Sequence, residues 1–299
     1  PIQTTEEKWD KYRQKAASMG IAETGYIMER RLPIRQVQDN PIYGGLVEAM
    51  DEAVGEVLAC LDELGLEEHT IVVFTSDNGG VSAGDNFSTS NLPLRGGKGY
   101  QWEGGIREPY FIKVPWLVNP GAKCDVPVTG TDFYPTLLEL VGVDLKPEQH
   151  IDGVSLLPLL KGESIAERPL YWHYPHYGNQ GGDPSSIIRK GDWKLIHYYE
   201  DGKNELYNLA NDPAERRDVS ENHPDLTRQM GSELKAWLAE VGANMPVPDP
   251  EYDEELFLKR QEEVIRNGLW PRLEQDRLNY LSPDWQPNED WWGSKITED

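Results

Sequence analysis

Residues 71–80 read IVVFTSDNGG, from Ile71 to Gly80. Three β-branched residues and a phenylalanine run straight into an acid, an amide and two glycines. A short apolar run bounded by turn residues marks a strand covered on both faces, as in parallel sheets. The end of such a strand opens into the crevice where α/β proteins bind ligands. There the Asp77 carboxylate and the Asn78 carbonyl are hard oxygen donors suited to Ca²⁺ or Mg²⁺. Gly79 and Gly80 let the backbone turn sharply beside them. An ordinary Asx turn after a strand would use the same residues.

Working outward, Leu46, Val47, Met50, Val54, Val57, Leu58, Leu61 and Leu64 recur at steps of three and four from Pro41 onward. This spacing predicts a long helix with one apolar face, ended by Gly65. Helix followed by an apolar strand predicts an α/β unit with a largely parallel sheet. Residues 79–109 lack periodicity and are rich in glycine, which suits an ordered functional loop. Tyr110–Val114 reads as a second strand, Thr131–Val141 as a helix, and GVSLLPLLKG as a short helix and turn. From about residue 166 the pattern alternates apolar and polar residues between glycine turns, which predicts a small antiparallel sheet. An amphipathic helix follows in HPDLTRQMGSELKAWLAEVGA. Residues 1–40 predict only a short helix near Glu6–Ser18. The boundaries drawn are 1–165 for the main domain, 166–244 for the small sheet and helix, and 245–299 for an acidic, Trp- and Pro-rich extension. In that extension PEYDEELFLKRQEEVIRNGLW reads as one helix and the remainder as surface wrapping.

The 299 residues are 38% hydrophobic, enough for a packed core. The formal net charge of −23 excludes the basic footprint of a nucleic-acid binder. An anionic substrate must therefore meet a few locally placed cations. The two cysteines, Cys60 and Cys124, leave one disulfide open but support no cysteine metal cluster. No apolar run is long enough to span a membrane. The chain starts PIQTTEEKW, without an initiator Met or signal peptide, and is read as processed or cut at that point.

Two cations among glycines, Arg95 and Lys98 in LRGGKG, suit an oxyanion such as sulfate or phosphate, although an exposed basic turn has the same composition. Arg107 in EGGIREP reads as a structural ion-pair residue, with an anion ligand as the other use. The stretch YWHYPHYG places His173 and His176 among aromatic rings, either as a sugar-binding wall or as plain packing. No GxSxG, HExxH or GxGxxG pattern is present.

In this combination the chain resembles the C-terminal part of the type I, formylglycine-dependent sulfatases, the arylsulfatase family. The resemblance is carried by YGGLVEAMDEAVGEVLACLDELGL, TIVVFTSDNGG, LRGGKGYQWEGGIREPYFIKVP, TDFYPTLLELVGV, IDGVSLLPLLKG and IIRKGDWKLIHYYEDGKNELYNLANDPAE, in order from about residue 40 to 243. It implies an alkaline-phosphatase-like α/β fold: a mixed sheet sandwiched by helices, plus a small C-terminal antiparallel sheet with a packed helix. It implies Ca²⁺, with Mg²⁺ the second choice, held in part by Asp77 and Asn78. Lys98 would hold the sulfate oxygens and act in catalysis, and His173 and His176 would face the substrate. The family nucleophile, a formylglycine made from C/S-x-P-x-R, has no counterpart here: Cys124 heads CDVPV and Cys60 heads CLDEL. The resemblance thus implies that an N-terminal half, bearing the formylglycine and further metal ligands, belongs to another segment or chain, and that this chain alone is catalytically incomplete. The expected activity is hydrolysis of a sulfate ester, a sulfated carbohydrate being favoured. A phosphatase or phosphonate hydrolase of the same superfamily and a non-catalytic chain are the alternatives. The family implies a periplasmic or secreted location.

Overall fold

The computed structural model describes residues 2–117 and 120–287. Helix α1 (Glu6–Met19) starts where the Thr5 side chain accepts the Lys8 N–H. A hairpin of β1 (Tyr26–Glu29) and β2 (Leu32–Arg35) leads to α2 (Pro41–Glu63). Asn40 caps α2 through the N–H groups of Ile42 and Tyr43, and Pro41 at its first turn needs no N–H partner. Gly65, at φ +66°, follows its end, as the sequence predicts.

Strand β3 (Val72–Thr75) pairs antiparallel with β4 (Tyr110–Lys113), and among the described residues these two form a sheet by themselves. The parallel sheet expected around Ile71–Thr75 is therefore not built among the described residues. The near-continuous apolar run of β3 is only half-buried, and Phe111 opposite it is 65% exposed. The apolar stripe of α2 is also uncovered: Val57 is 62% exposed, and Val47, Met50 and Leu58 lie open beside it. The periodicity located the face correctly, but among the described residues no element packs on most of it.

Past α3 (Glu103–Ile106), α4 (Phe133–Leu140) and α5 (Leu157–Leu160), the chain forms a four-stranded antiparallel sheet. Its strands are β5 (Leu170–Tyr174), β6 (Ser185–Lys190), β7 (Trp193–Tyr198) and β8 (Asn204–Asn208), in that spatial order. The two-residue period of a strand divides the sheet into faces. Ile188, Leu195 and Leu206 pack against Met230, Leu234 and Leu238 of α6 (Pro224–Glu240). Tyr171 stacks on Trp237 of α6 at 4.5 Å. Ile187, Ile196, Tyr198 and Tyr207 point the other way, into a core shared with Tyr26, Ile34, Tyr100 and Trp102. The glycine-rich loop is thus pinned to the second face of the sheet.

The last described segment corrects a second expectation. Helix α7 (Glu254–Lys259) continues through a π-helical stretch (Arg260–Leu269) into α8 (Trp270–Leu281), so the helix runs beyond Trp270 instead of giving way to a surface wrap. Leu273 enters the shared core, and the fully buried Arg277 binds Asp39, Glu274 and the carbonyl of Ala22. Trp9 of α1 donates to the carbonyl of Tyr280. The part of the expected extension beyond residue 287 lies outside the described residues.

Candidate functional site

The end of β3 and the glycine loop meet through backbone. The amide of Lys98 donates to the carbonyl of Gly80 at 3.1 Å, and that of Gly79 to Gly105 at 3.2 Å. Asn91 locks the junction from beneath: its side chain accepts from Gly80 N at 3.0 Å and donates to the carbonyls of Gly80 and Gly96. These approaches need glycine. A Cβ on Gly79 would collide with the carbonyl of Gly104, and one on Gly97 with the carbonyl of Gly80. Asp77, Asn78 and Lys98 therefore share one platform, although 20 positions separate Asn78 from Lys98 in the sequence.

The Asx-turn alternative finds no support at the strand end. No backbone N–H donates to the side chain of Asp77 or Asn78 among the described residues; Ser76 Oγ donates to the Asn78 carbonyl instead, at 2.9 Å. Asp77 is exposed, and Glu108 lies close enough to feel its charge. Burial, and then the Asp77 charge, push the Glu108 carboxyl up to about 7. Its Oε1 is buried with no hydrogen-bond partner. Oxygen donors crowded at one strand end, one of them orphaned, have the chemistry that a hard divalent cation relieves. The number of donors is short. No group of three or more His, Cys, Asp or Glu among the described residues is arranged to hold a metal, against the six to eight oxygens, roughly, that Ca²⁺ takes.

The cations divide by role. The Lys98 ammonium has no carboxylate partner among the described residues and is half-buried. Arg95 is fully engaged: it pairs with Glu29, donates to the Glu215 carbonyl and stacks on Trp102 at 3.7 Å. It braces the loop. Arg107 is exposed and makes no ion pair among the described residues, so its expected structural pairing is not found. Cys60 and Cys124 are both free and exposed, and the disulfide left open by the sequence does not form.

The histidines lie on and just beyond β5. His173 Nδ1 is 2.7 Å from Ser186 Oγ and its Nε2 is 2.9 Å from the Asn244 carbonyl, so both ring nitrogens are occupied within the chain. His176 is exposed, its ring edge-on to Tyr174 at 5.5 Å.

A buried ion cluster beneath the platform escaped the sequence reading. Lys194 of β7, 0% exposed, pairs with Glu103 at 3.0 Å and Glu215 at 2.8 Å. Arg189 adds a contact to Glu103 at 3.3 Å, and Glu215 accepts the Glu103 N–H at 2.5 Å. Glu103 opens α3, whose Gly104 and Gly105 carry the Arg95 and Gly79 hydrogen bonds. The one signal available was the position of Lys194 in WKLIHY, on the same side of the strand as Ile196 and Tyr198.

A family model described as sulfatase matches residues 3–143, and one described as the C-terminal region of N-sulphoglucosamine sulphohydrolase matches residues 97–242. The chain belongs to the sulfatase family. A sulfatase of Formosa agariphila is 36% identical over 245 residues, covering 74% of this chain and 43% of that protein. The steryl-sulfatase of Mus musculus is 43% identical over 138 residues, 44% of this chain and 22% of that protein. Among solved structures, Ps i-CgsB in complex with k-i-k-neocarrahexaose has a TM-score of 0.64 at 26% identity, over 90% of this chain and 54% of that one. BT4656, solved with its substrate D-glucosamine-2-N,6-O-disulfate, has a TM-score of 0.56 at 26% identity, over 72% and 43%. The fold of this sulfatase-family chain is accordingly the α/β, alkaline-phosphatase-like one, and the chain spans less than half the length of these two sequence relatives.

Proposed function

We propose that this chain is the part of a sulfuric ester hydrolase that grips the sulfate and the sugar bearing it. The observation that carries the reading is the Lys98–Gly80 backbone link, which joins an unpaired ammonium to a strand end bearing Asp77 and Asn78. Lys98 binds the sulfate oxygens and stabilises the charge that grows on them as the ester bond breaks. Asp77 and Asn78 supply two side-chain oxygens to a divalent cation, Ca²⁺ before Mg²⁺. When bound, the cation shares the charge of the sulfate and lowers the pKa of the attacking group. Asn91 and Arg95 hold the loop so that Lys98 stays in place. The relatives solved with a neocarrahexaose and a glucosamine disulfate support a carbohydrate ester as substrate. His176 is open to a sugar, whereas His173 offers only its ring face.

No residue of this chain meets the C/S-x-P-x-R pattern, so the formylglycine and the remaining metal ligands are supplied by another segment or chain. The open apolar faces of α2, β3 and β4 support this reading, since a sulfatase main domain would cover them. Residues 1–165 then belong to that main domain, 166–244 to the small C-terminal one, and 245–299 to an extension whose helix α8 packs on α1. The proposed location is periplasmic or secreted. No helix among the described residues is long and apolar enough to cross a membrane.

The test is turnover by the full-length protein of a sulfated sugar panel, 4-nitrophenyl sulfate and 4-nitrophenyl phosphate. Sulfate esters are expected to be cleaved, and the isolated 299-residue chain is expected to cleave none. A protein active on the phosphate ester alone would overturn the sulfatase reading.

A further inference from the structure

The segment Tyr177–Asp183 lies directly on the Lys98 loop. A Cβ on Gly99 would stand 3.0 Å from the Cβ of Gln180, and Gly181 and Gly182 press on the Tyr100 ring and the Gly99 carbonyl. The segment closes on itself through Gly178 N to the Gly182 carbonyl at 2.9 Å.

It is clamped at both ends. Asp183, 1% exposed, is gripped by both Arg30 and Arg31 of the β1–β2 turn. Arg31 also donates to the Gly182 carbonyl and covers the Tyr177 ring at 4.3 Å. At the other end, Asp85 accepts from Asn179 Nδ2 at 3.2 Å and from Gln180 Nε2. Arg30 at φ +48° and Asp85 at φ +40° are two of the four non-glycine residues with positive φ among those described. Arg30 pays a conformational cost that Asp, which tolerates this region, largely avoids. Held strain of this kind collects where a local geometry is functionally demanded.

The Asp85 carboxylate can only accept, so it fixes which way both amides face. Each NH₂ turns to Asp85 and each carbonyl oxygen turns away from it, with no protein donor among the described residues. Two pre-oriented neutral acceptors, on a segment packed against Gly99 next to Lys98 in the chain, suit a ligand that offers an anion to Lys98 and hydroxyl groups to the loop. They disfavour a second anionic group at the same place.

Resting on the sulfatase reading above, we infer that Asn179 and Gln180 are specificity-determining residues that accept hydrogen bonds from the hydroxyls of the sulfated sugar ring, with Asp85 as their positioning residue. The sugar-facing wall is thus the clamped loop after β5, more than His173 on the strand itself.

The test compares wild type, Gln180→Ala, Asn179→Ala and Asp85→Asn in the full-length protein. The readout is the ratio of kcat/KM on the best substrate from a panel of galactose and glucosamine sulfates to kcat/KM on 4-nitrophenyl sulfate. Loss of one neutral hydrogen bond lowers this ratio about threefold to tenfold, and Asp85→Asn does so by replacing one of the two acceptor oxygens with an NH₂, which releases one of the two amides. An unchanged ratio, with both activities falling together, marks a merely structural loop and overturns the inference. If wild type cleaves neither ester, the sulfatase reading falls. The loop is then judged by NMR titration with galactose 6-sulfate, following side-chain amide signals assigned by their loss in the two Ala variants. Shifts confined to those signals and the Lys98 loop sustain a sugar site, and their absence ends it.

Discussion

Replacing Lys194 by Met should unfold the link between the two halves of the platform. Lys194 is completely buried, and so are its partners Glu103 and Glu215, at 1% and 0% exposure. Glu103 keeps Arg189, but Glu215 is left with no cation, and orphaning a buried charge in this way costs about 3–5 kcal/mol. No solvent screening softens this, because all three groups lie beneath the surface. At roughly 2–4 °C per kcal/mol for a domain of 150–250 residues, Tm should fall by about 6–20 °C. The deficit should depend on pH. Burial already raises the Glu215 carboxyl above its usual range, against the pull of Lys194. Without Lys194 its folded-state pKa climbs further above the unfolded value. A carboxyl raised in this way favours the folded state below the unfolded pKa and loses that contribution as pH rises through the folded pKa. The Lys194→Met penalty should therefore be largest near neutral pH and shrink toward pH 5. Adding Glu215→Gln should recover part of it, because the penalty belongs to the orphaned charge. Urea unfolding of wild type, Lys194→Met, Glu215→Gln and the double variant at pH 5 and 7.5 is the assay. A loss under about 1 kcal/mol, or one that does not change with pH, would refute the reasoning.

Three further outcomes are expected. Lys98→Ala should lower kcat/KM on a sulfate ester by about 100-fold or more, with Tm unchanged within a degree or so, because its ammonium bonds to nothing among the described residues; calorimetry beside steady-state kinetics checks both. Asp77→Ala or Asn78→Ala should weaken Ca²⁺ binding by the full-length protein at least about tenfold by isothermal titration, a loss of roughly 1.4 kcal/mol, and equal affinities would remove them as ligands. Leu234→Ala, between α6 and the sheet, should cost about 2–5 kcal/mol in chemical unfolding, since Leu234 packs there with Ile188, Leu195 and Leu206.

The local devices of the fold were legible wherever a periodic pattern met its own partner inside the chain. The alternation in SSIIRK and WKLIHY gave a sheet whose Ile188 and Leu195 find α6, and the stepped apolar residues of α6 return the contact. The same kind of pattern in α2 and in Ile71–Phe74 showed which faces are apolar but not what covers them, because periodicity records a face and never its occupant. The β1–β2 hairpin was missed: it is four residues a side, carries Pro33 within β2, and turns on two arginines instead of Asn-Gly. The turn of that hairpin reappears beside the Lys98 loop, since Arg30 and Arg31 hold Asp183 across 153 and 152 positions. At the proposed site, glycines flagged the close backbone approaches that bring the Lys98 loop to the strand end carrying Asp77 and Asn78. Arg95 was open between an anion ligand and an exposed basic turn, and its pairing with Glu29 makes it a brace instead. Glu103, Lys194 and Glu215 look like ordinary surface charge in the sequence; only tertiary burial turns them into a cluster.

The central claim is that Lys98 and the Asp77–Asn78 strand end form one sulfate-ester site. A crystal structure of the full-length protein soaked with CaCl₂ and a sulfated monosaccharide tests it most directly. The account predicts an anomalous calcium peak about 2.3–2.6 Å from side-chain oxygens of Asp77 and Asn78, and sulfate oxygens within hydrogen-bond reach of Lys98 Nζ. A sulfate group seated away from Lys98, with both strand-end side chains turned from the ion, would contradict it.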